Sequence, residues 1–321
     1  MKVLVIGGAG YIWSHVVLDL FEKGHEVCVF DNLSTGQRMN VLSQVSFIEG
    51  DILDRSALDK AMEGVDAVIH LAAKKAVGES MLQPEKYAVN NINGTLNVLN
   101  AMAEKGVKKI VFSSSAAVYG IPKESRLDET SPVNPINFYG FTKLEIERFL
   151  VWYDQLKGIR FVALRYFNAV GYDPKGRIKG LEQDPQNLLP IVMEVAIGKR
   201  DKLKIYGNDY PTSDGTCIRD YIHVSDLAIA HTQALEYLES ENKSHVLNLG
   251  TERGTSVLTM VTETEKYTGR KIPYQFVDRR AGDPAMLTAC AGKARDLLKW
   301  TPEYSDLETI ITSTWGVYKN Q

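Results

Sequence analysis

The chain has 321 residues, 44% of them hydrophobic and 24% charged, and a formal net charge of -3. This composition is typical of a globular protein, and the slight negative charge argues against a general nucleic-acid binder. No apolar run approaches the roughly 18 residues that a membrane span needs. The three cysteines, Cys28, Cys217 and Cys290, are odd in number and lack metal-ligand spacing. We therefore expect a soluble cytoplasmic protein with no metal site, no nucleic-acid partner and no membrane partner.

The first predicted strand, residues 2–6, leads directly into the glycine-rich turn Gly7-Gly8-Ala9-Gly10. A strand–turn–helix of this kind lets backbone N–H groups approach a pyrophosphate, and the N-terminus of the helix supplies a favourable dipole. The second strand, residues 26–30, ends at Asp31, about 20 residues after the turn, where a carboxylate can accept hydrogen bonds from the ribose diol of an adenine nucleotide. The pattern indicates NAD rather than NADP.

Further along the chain, apolar runs alternate with helical patterns. The predicted strands are residues 2–6, 26–30, 45–49, 66–70, 108–113 and 160–165, and the predicted later helices lie near 186–198, 225–239 and 256–268. Such alternation is typical of a Rossmann-like α/β fold with a doubly wound parallel sheet. We expect an NAD-binding domain over 1–165 and a smaller mixed α/β substrate-binding lobe over 166–321, with the chain free to cross between them.

Tyr139 and Lys143 lie four residues apart, a spacing that places both side chains on one face of a helix. A free tyrosine, with a pKa of about 10, is a poor base at neutral pH. A nearby ammonium and a positively charged nicotinamide ring would both favour the phenolate, so we expect the pKa of Tyr139 to be lowered. Alone, such a pair is usually a solvated helix face. Together with the glycine-rich turn it indicates a nicotinamide site with its own acid/base.

The residues beyond these elements resemble the extended short-chain dehydrogenase/reductase family, and within it the sugar-nucleotide 4-epimerases. The segments that carry the resemblance cover nearly the whole chain and are Gly7–Ile12, Asp31–Leu33, Gly50–Ile52, His70–Ser80, Asn90–Thr95, Ser113–Gly120, Tyr139 with Lys143, Arg165–Asn168, Gly207–Tyr210, Asp214–Thr216 and Arg219–Val224. Related dehydratases place an acidic residue directly after the hydroxyl of the serine-rich strand, whereas here Ser115 is followed by Ala116 and Ala117. Elimination of water is therefore disfavoured relative to oxidation and reduction at one carbon.

The resemblance implies an isomerase that converts UDP-galactose to UDP-glucose through a transient 4-keto sugar, with NAD as cofactor. It implies that Tyr139, Lys143 and Ser115 are catalytic. The implied cofactor-binding residues are Gly7, Gly10, Tyr11, Ile12, Asp31, Asn32, Asp51, Ile52, Leu71, Ala72, Ala73, Lys75, Asn90, Tyr139, Lys143 and Phe167. The implied substrate-binding residues are Ser115, Tyr139, Asn168, Asn187, Leu188, Tyr206, Arg219, Arg280, Asp283 and Leu287. The family also implies a homodimer whose interface includes the helix that carries Tyr139.

Two residues leave the function less narrowly defined. Trp13 departs from the family pattern, and Leu287 allows more than one substrate. Trp13 stands at the third glycine position of the turn, where glycine permits close packing of the first helix against the sheet. We expect Trp13→Gly to raise cofactor occupancy and thermal stability, and a weakly active NAD- or UDP-sugar-binding protein is one alternative. Leu287 falls at the position that limits bulk at the sugar C2 substituent. Because leucine is smaller than tyrosine, 4-epimerisation of UDP-GlcNAc and UDP-GalNAc is a second alternative.

Overall fold

The structure is a computed structural model that describes residues 1–182, 185–280 and 282–321. The β-strands in chain order are β1 (Lys2–Ile6), β2 (Glu26–Asp31), β3 (Ser46–Glu49), β4 (Ala67–His70), β5 (Lys109–Ser115), β6 (Arg126–Leu127), β7 (Arg160–Tyr166), β8 (Asn168–Val170), β9 (Leu203–Tyr206), β10 (Ile218–His223), β11 (His245–Leu249), β12 (Gly254–Ser256), β13 (Tyr274–Val277) and β14 (Met286–Ala289). The α-helices are α1 (Tyr11–Glu22), α2 (Arg55–Ala61), α3 (Val77–Leu82), α4 (Pro84–Tyr87), α5 (Gly94–Lys105), α6 (Phe138–Lys157), α7 (Leu188–Ala196), α8 (Val224–Glu241), α9 (Val257–Thr268), α10 (Gly292–Leu298) and α11 (Leu307–Tyr318). A π-helical segment, Ala88–Asn93, joins α4 to α5.

Seven strands form a parallel sheet in the order β11-β7-β5-β4-β1-β2-β3. From β1 the chain first adds strands on one side, through β2 and β3, and then on the other, through β4, β5 and β7. This reversal creates a topological switch point outside the carboxyl ends of β1 and β4, which is where open α/β sheets bind their ligands.

The six strands predicted from the sequence are confirmed, each within two residues of its expected bounds. The three predicted later helices correspond to α7, α8 and α9. Strand β11 was not predicted. Together with α8, which packs on α1, it returns the chain to the large sheet after residue 223. The division at residue 165 is therefore not a clean boundary along the chain.

The sheet is buried on both faces, and the alternation of side chains along β1 shows why. Val3 and Val5 contribute to the core beneath α1 and α8, whereas Leu4 and Ile6 contribute to the core beneath α5 and α6. Successive residues of a strand point to opposite faces, so a strand covered on both sides needs an uninterrupted apolar run. The sequence of β1 has this form, and its four residues Val3–Ile6 are completely buried.

The rest of the chain forms a smaller mixed lobe, as predicted. Strands β12, β10, β14 and β6 form a second sheet in that order, with β8 also paired to β10, and β13 pairs with β9. Helices α7 and α9 pack on the two-stranded sheet through a separate apolar cluster that includes Val192, Ile205 and Val261. Within the described ranges, no helix combines the length and the apolar character that crossing a membrane requires.

Candidate functional site

A cleft of about 500 Å³ opens at the switch point of the large sheet. Most of the predicted cofactor-binding residues line it, namely Gly7, Gly10, Tyr11, Ile12, Asp31, Asn32, Ile52, Leu71, Ala72, Ala73, Lys75 and Asn90. The predicted substrate residue Asn187 lines it as well. The remaining predicted cofactor residues, Asp51, Phe167, Tyr139 and Lys143, lie outside this lining set, and Asp51 is linked to it by a 2.7 Å hydrogen bond from the Asn32 amide.

The geometry of the glycine-rich turn suits a bound anion. Gly7 has φ +88, and a Cβ there would lie 2.6 Å from the backbone nitrogen of Ala72, so glycine is required by both conformation and space. Gly10 is the N-cap of α1, and no side chain caps the helix N-terminus. The first backbone N–H groups of an α-helix have no intrahelical partner, and the first residues of α1, Tyr11 and Ile12, line the cleft at the positive end of the helix dipole. The turn fits the pyrophosphate of a dinucleotide.

Asp31 connects the end of β2 to this turn. Its buried carboxylate accepts hydrogen bonds from the backbone N–H groups of Ala9 (3.0 Å) and Leu33 (2.8 Å). Burial raises the pKa of Asp31, and the two backbone donors oppose that shift. Each carboxylate oxygen has a second acceptor position, so Asp31 retains the capacity to accept from a ribose diol.

The sequence analysis missed several residues that line the cleft, namely Phe30, Ser34, Thr35, Gln37, Asn40, Lys74, Glu79, Lys86, Tyr87, Leu181 and Glu182. Those between Ser34 and Asn40 follow β2 directly, so the rule that ligands bind beyond the carboxyl ends of parallel strands could have found them. Glu182 could not be found in this way, because it reaches the cleft from the smaller lobe. Its carboxylate forms an ion pair with Lys75, which also lines the cleft.

Trp13 is accommodated without a break in α1. The helix begins at Tyr11, and the N–H of Ser14 donates to the carbonyl of Gly10 at 3.0 Å. The half-buried indole packs on Tyr166, with ring centroids 5.9 Å apart, and also borders His231 of α8. Because the indole makes these contacts, its removal would leave a gap between α1, β7 and α8. The structure therefore reverses the stability effect that we expected for Trp13→Gly.

The indole also borders the glycine-rich turn itself. A Cβ built on Gly10 would lie 2.7 Å from Trp13 Cδ1, and the indole lines the cleft. The expectation that a smaller residue here favours cofactor binding is therefore retained.

Tyr139, Ser115 and Lys143 come together at the junction of α6 and β5. The Ser115 hydroxyl lies close enough to Tyr139 to lower the pKa of its phenol, which opposes the effect of burial. Lys143 is 2% exposed, its Nζ donates to the carbonyl of Ser113 at 2.6 Å, and it lies 5.8 Å from the centroid of the Tyr139 ring. Asn137 caps α6 by accepting from the N–H of Gly140, which fixes where the helix starts relative to β5. The structure thus confirms the predicted proximity of the three side chains.

The expected direction of the Tyr139 pKa shift is wrong for the protein alone. Desolvation raises the pKa of Tyr139 to about 12, and the nearby Ser115 hydroxyl offsets only part of that shift. Burial also lowers the pKa of Lys143 to about 7. Residue spacing predicts only the effect of the ammonium, whereas the loss of water around both groups, which disfavours the charged form of each, depends on tertiary packing.

The predicted substrate residues of the smaller lobe form several local contacts. Arg219 of β10 forms an ion pair with Asp283, and the Arg280 guanidinium lies 3.9 Å from the centroid of the Tyr206 ring. Leu287 is adjacent to Arg219 in register and belongs to the apolar cluster around Val118 and Leu144, to which Phe167 also belongs. This cluster connects the smaller lobe to the strand end that carries Ser115.

The two remaining predicted substrate residues have structural contacts of their own. Asn168 donates to the carbonyl of Asp220 at 3.0 Å, and Leu188 is the first residue of α7. In the described part of the chain, no three His, Cys, Asp or Glu side chains are arranged to hold a metal ion.

The fold and the site define a class of protein: a Rossmann-type nucleotide-binding protein with a tyrosine–lysine pair next to the dinucleotide cleft. The chain belongs to the NAD dependent epimerase/dehydratase family, whose profile matches residues 3–250. It is 48% identical to a UDP-glucose 4-epimerase of Halalkalibacterium halodurans, over 99% of this chain and 96% of the relative. The resemblance inferred from the sequence motifs is thereby confirmed.

Solved structures lead to the same family. A crystal structure of UDP-glucose 4-epimerase from Brucella ovis in complex with NAD superposes with a TM-score of 0.95 at 46% identity, covering 97% of this chain and 96% of that one. The UDP-Glc/GlcNAc 4-epimerase from Campylobacter jejuni superposes with a TM-score of 0.88 at 40% identity, covering 100% of this chain and 99% of that one.

Proposed function

We propose that this chain catalyses the NAD-dependent 4-epimerisation of a UDP-hexose, interconverting UDP-galactose and UDP-glucose. The observation that carries the proposal is the contact between Tyr139, Ser115 and Lys143 at the end of β5. This group lies at the same edge of the sheet as a cleft built around a glycine-rich turn. An acid/base at that edge can act on a substrate hydroxyl next to a nicotinamide.

The residues of the cleft would hold NAD. The backbone N–H groups at the start of α1 would bind its pyrophosphate, Asp31 its adenine ribose, and Lys143 its nicotinamide ribose. Bound there, NAD supplies a hydride acceptor and donor for the C4 carbon of the sugar.

The proton chemistry belongs to the chain itself. Tyr139 would take the proton of the sugar 4-hydroxyl and later return it, while Ser115 holds the reacting oxygen within hydrogen-bond reach. Loss of the proton and of the C4 hydride leaves a transient 4-keto sugar. Because the raised pKa of Tyr139 opposes ionisation, the positive charge of Lys143 is needed to favour the phenolate.

Substrate binding would concentrate on the UDP part. Arg219 and Arg280 have planar guanidinium groups suited to a diphosphate, and Tyr206 lies against Arg280. The keto sugar must rotate between the two hydride transfers so that C4 is inverted, and the sugar itself should therefore be held weakly. The ion pair between Arg219 and Asp283 would have to rearrange for Arg219 to contact a diphosphate.

The test is conversion of UDP-galactose to UDP-glucose by the purified protein, with and without added NAD. Turnover without added NAD is expected if the cofactor is retained during purification, and turnover restored by NAD indicates that it is lost. Folded protein that binds NAD and UDP but gives no turnover on either sugar class would contradict the proposal and favour a binding protein.

UDP-N-acetylhexosamines are a second substrate candidate, because the family resemblance assigns Leu287 to the position that limits bulk at the sugar C2 substituent. Leu287 is partly buried next to the cluster that contains Val118. Parallel assays with UDP-galactose and UDP-GalNAc decide between them. Leu287→Tyr is expected to lower the ratio of UDP-GalNAc to UDP-galactose turnover, since the larger side chain fills the space of the acetyl group.

We also propose that the protein is a homodimer in the cytoplasm. Helix α6 carries exposed apolar side chains on one face, including Phe141, Trp152 (59% exposed) and Leu156 (70% exposed). Their spacing of four and eleven residues keeps them on the same stripe of the helix, and such a stripe is typical of an interface.

The cytoplasmic location rests on three cysteines that form no disulfide.

The double variant Trp152→Asp/Leu156→Asp is expected to be monomeric, because two carboxylates cannot be desolvated within an apolar interface. Light scattering after size exclusion should give 35.8 kDa for the variant and twice that mass for the parent protein. Met39→Asp changes an exposed apolar residue far along the chain from α6 and serves as the control. A parent protein that is itself monomeric at micromolar concentration would contradict the dimer.

A further inference from the structure

A buried ion pair that the mechanism above does not use lies beside the tyrosine–lysine pair. Glu147 of α6 is 4% exposed and Arg165 of β7 is 5% exposed. Arg165 holds the carboxylate with two hydrogen bonds, Nε to Oε1 at 2.9 Å and Nη2 to Oε2 at 2.6 Å. Removing two charges from water is costly, so a buried pair of this kind adds little or nothing to stability by itself. We therefore expect this pair to have a role other than stability.

Further contacts hold this pair in one arrangement. The hydroxyl of Ser114 donates to Glu147 Oε1 at 2.5 Å. Arg165 Nη1 donates to the hydroxyl of Tyr119 at 3.0 Å, and that hydroxyl donates to Asn248 Oδ1 at 2.7 Å. The carboxylate of Glu147 is thus tied to β5 and β7, and its anchor Arg165 is tied through Tyr119 to β11.

The three consecutive serines at the end of β5 each contact a different residue of α6. The carbonyl of Ser113 accepts from Lys143, the hydroxyl of Ser114 donates to Glu147, and the side chain of Ser115 lies near Tyr139. Tyr139, Lys143 and Glu147 are spaced four apart, so they lie along one stripe of α6. Each of the three serines of β5 therefore contacts one residue of this stripe, and Glu147 is the third residue of the stripe.

The charged and titratable surroundings of Lys143 come from three elements. The groups that face Lys143 are Tyr139 and Glu147 of α6, His70 of β4, and the Phe112 ring and Ser113 carbonyl of β5. Among these described neighbours Glu147 is the one carboxylate. His70 is neutral at physiological pH, since burial lowers its pKa to about 3.

We propose that Glu147 is a positioning residue for the reaction: its carboxylate, clamped by Arg165 and Ser114 on the same stripe of α6 as Lys143, keeps Lys143 protonated beside Tyr139. This inference rests on the proposed function, which requires the ammonium form of Lys143. Glu147 acts through Lys143 and needs no contact with substrate or cofactor.

The expected pH dependence has a definite sign. Burial lowers the pKa of Lys143 to about 7, and Glu147 opposes that shift. Removing the negative charge therefore lowers the pKa of Lys143 further. Activity that depends on the ammonium is lost as pH rises through this pKa, so Glu147→Gln should lose activity at a lower pH than the parent protein.

The experiment compares kcat against pH, from about pH 5.5 to 9.5, for the parent protein, Glu147→Gln and Glu147→Asp. Glutamine keeps the shape and removes the charge, whereas aspartate keeps the charge. We expect the alkaline limb of Glu147→Gln to move down by about one pH unit or more, and that of Glu147→Asp to stay near the parent position. Superimposable profiles for the parent protein and Glu147→Gln would overturn the proposal and leave a purely structural pair.

Glu147→Gln leaves Arg165 buried without its partner and can fail to fold. Glu147→Gln/Arg165→Met removes both charges and leaves no unpaired one, so it serves as the second variant. Its alkaline limb is expected to move in the same direction, because Glu147 is the member of the pair that acts on Lys143. An unchanged limb in a folded double variant would equally overturn the proposal.

A measurement without turnover separates this inference from the proposed function. Because the pKa of Lys143 is depressed from 10.5 to about 7 in the folded state, the unfolded state binds more protons between these values, and the contribution of Lys143 to stability rises with pH there. Lys143→Met removes this rise. The difference in stability between the protein with Lys143 and the Lys143→Met variant, measured against pH, therefore defines the pH window over which Lys143 loses its proton in the folded state. The window should start lower in the Glu147→Gln background, and identical windows in both backgrounds would overturn the inference even if the protein proves not to be an epimerase.

Discussion

Tyr139→Phe is expected to lower kcat for UDP-galactose by about 10²–10⁴-fold, the usual range for losing a general acid/base. Phenylalanine keeps the ring on α6 and removes only the phenol oxygen that lies near Ser115. Thermal stability should not fall, because the lost hydroxyl is desolvated in the folded protein. NAD content after purification is expected to match that of the parent protein, so the loss would lie in the chemical step. The measurement is initial rate at saturating UDP-galactose, with the melting temperature recorded for the same samples.

Tyr237→Phe provides the matched control. Tyr237 is also a buried tyrosine, and it lies on α8, on the opposite face of the sheet from α6. Its hydroxyl lies 3.0 Å from Nε2 of His245 in β11. This variant should keep its turnover within a factor of about two to three. If Tyr139→Phe retained turnover within tenfold of the parent protein, Tyr139 could not be the acid/base.

Trp13→Gly is expected to act in opposite directions on stability and on cofactor binding. It removes the packing of the indole on Tyr166 and His231 and places glycine within α1. The free energy of unfolding of the cofactor-free protein should fall by on the order of 2 kcal/mol. Cofactor occupancy should rise, because the indole no longer borders Gly10 and the cleft. Differential scanning calorimetry of the cofactor-free protein and NAD titration measure the two effects separately.

Trp13→Phe is the control for packing. A phenyl ring can keep part of the contact with Tyr166, so its stability should lie between those of the parent protein and Trp13→Gly. A cofactor-free Trp13→Gly protein that melts at or above the parent temperature would show that the indole strains the fold. Equal NAD affinity in the two proteins would show that the indole does not restrict the cleft.

The local parts of the site could be predicted because their causes are local. The turn at Gly7 needs a positive φ that glycine adopts freely, and it follows an apolar run long enough for a buried strand. Tyr139 and Lys143 share a helix face by spacing alone. For the same reason the six strands of the first domain agree with their predicted bounds.

Other features depend on parts of the chain that only the fold brings together. Glu182 reaches Lys75 across more than 100 residues of sequence, and no local pattern indicates that contact. Strand β11 joins the large sheet beside β7 although the strands between them belong to the smaller lobe. The pKa of Tyr139 was predicted in the wrong direction because desolvation depends on the packing around α6 and β5.

The sequence by itself determined the strand–turn–helix of the dinucleotide cleft, the tyrosine–lysine pair and the family. The turn and the tyrosine–lysine pair follow from backbone conformation and helical spacing, which act over a few residues, whereas the family was indicated by motifs that resemble its pattern along nearly the whole chain. Tertiary structure alone decided where the Trp13 indole lies, which charge faces Lys143 and how far burial shifts the pKa values of the site. Those properties depend on which surfaces exclude water from one another, and in this chain the surfaces come from segments far apart in sequence, such as α6, β7 and β11 around Arg165.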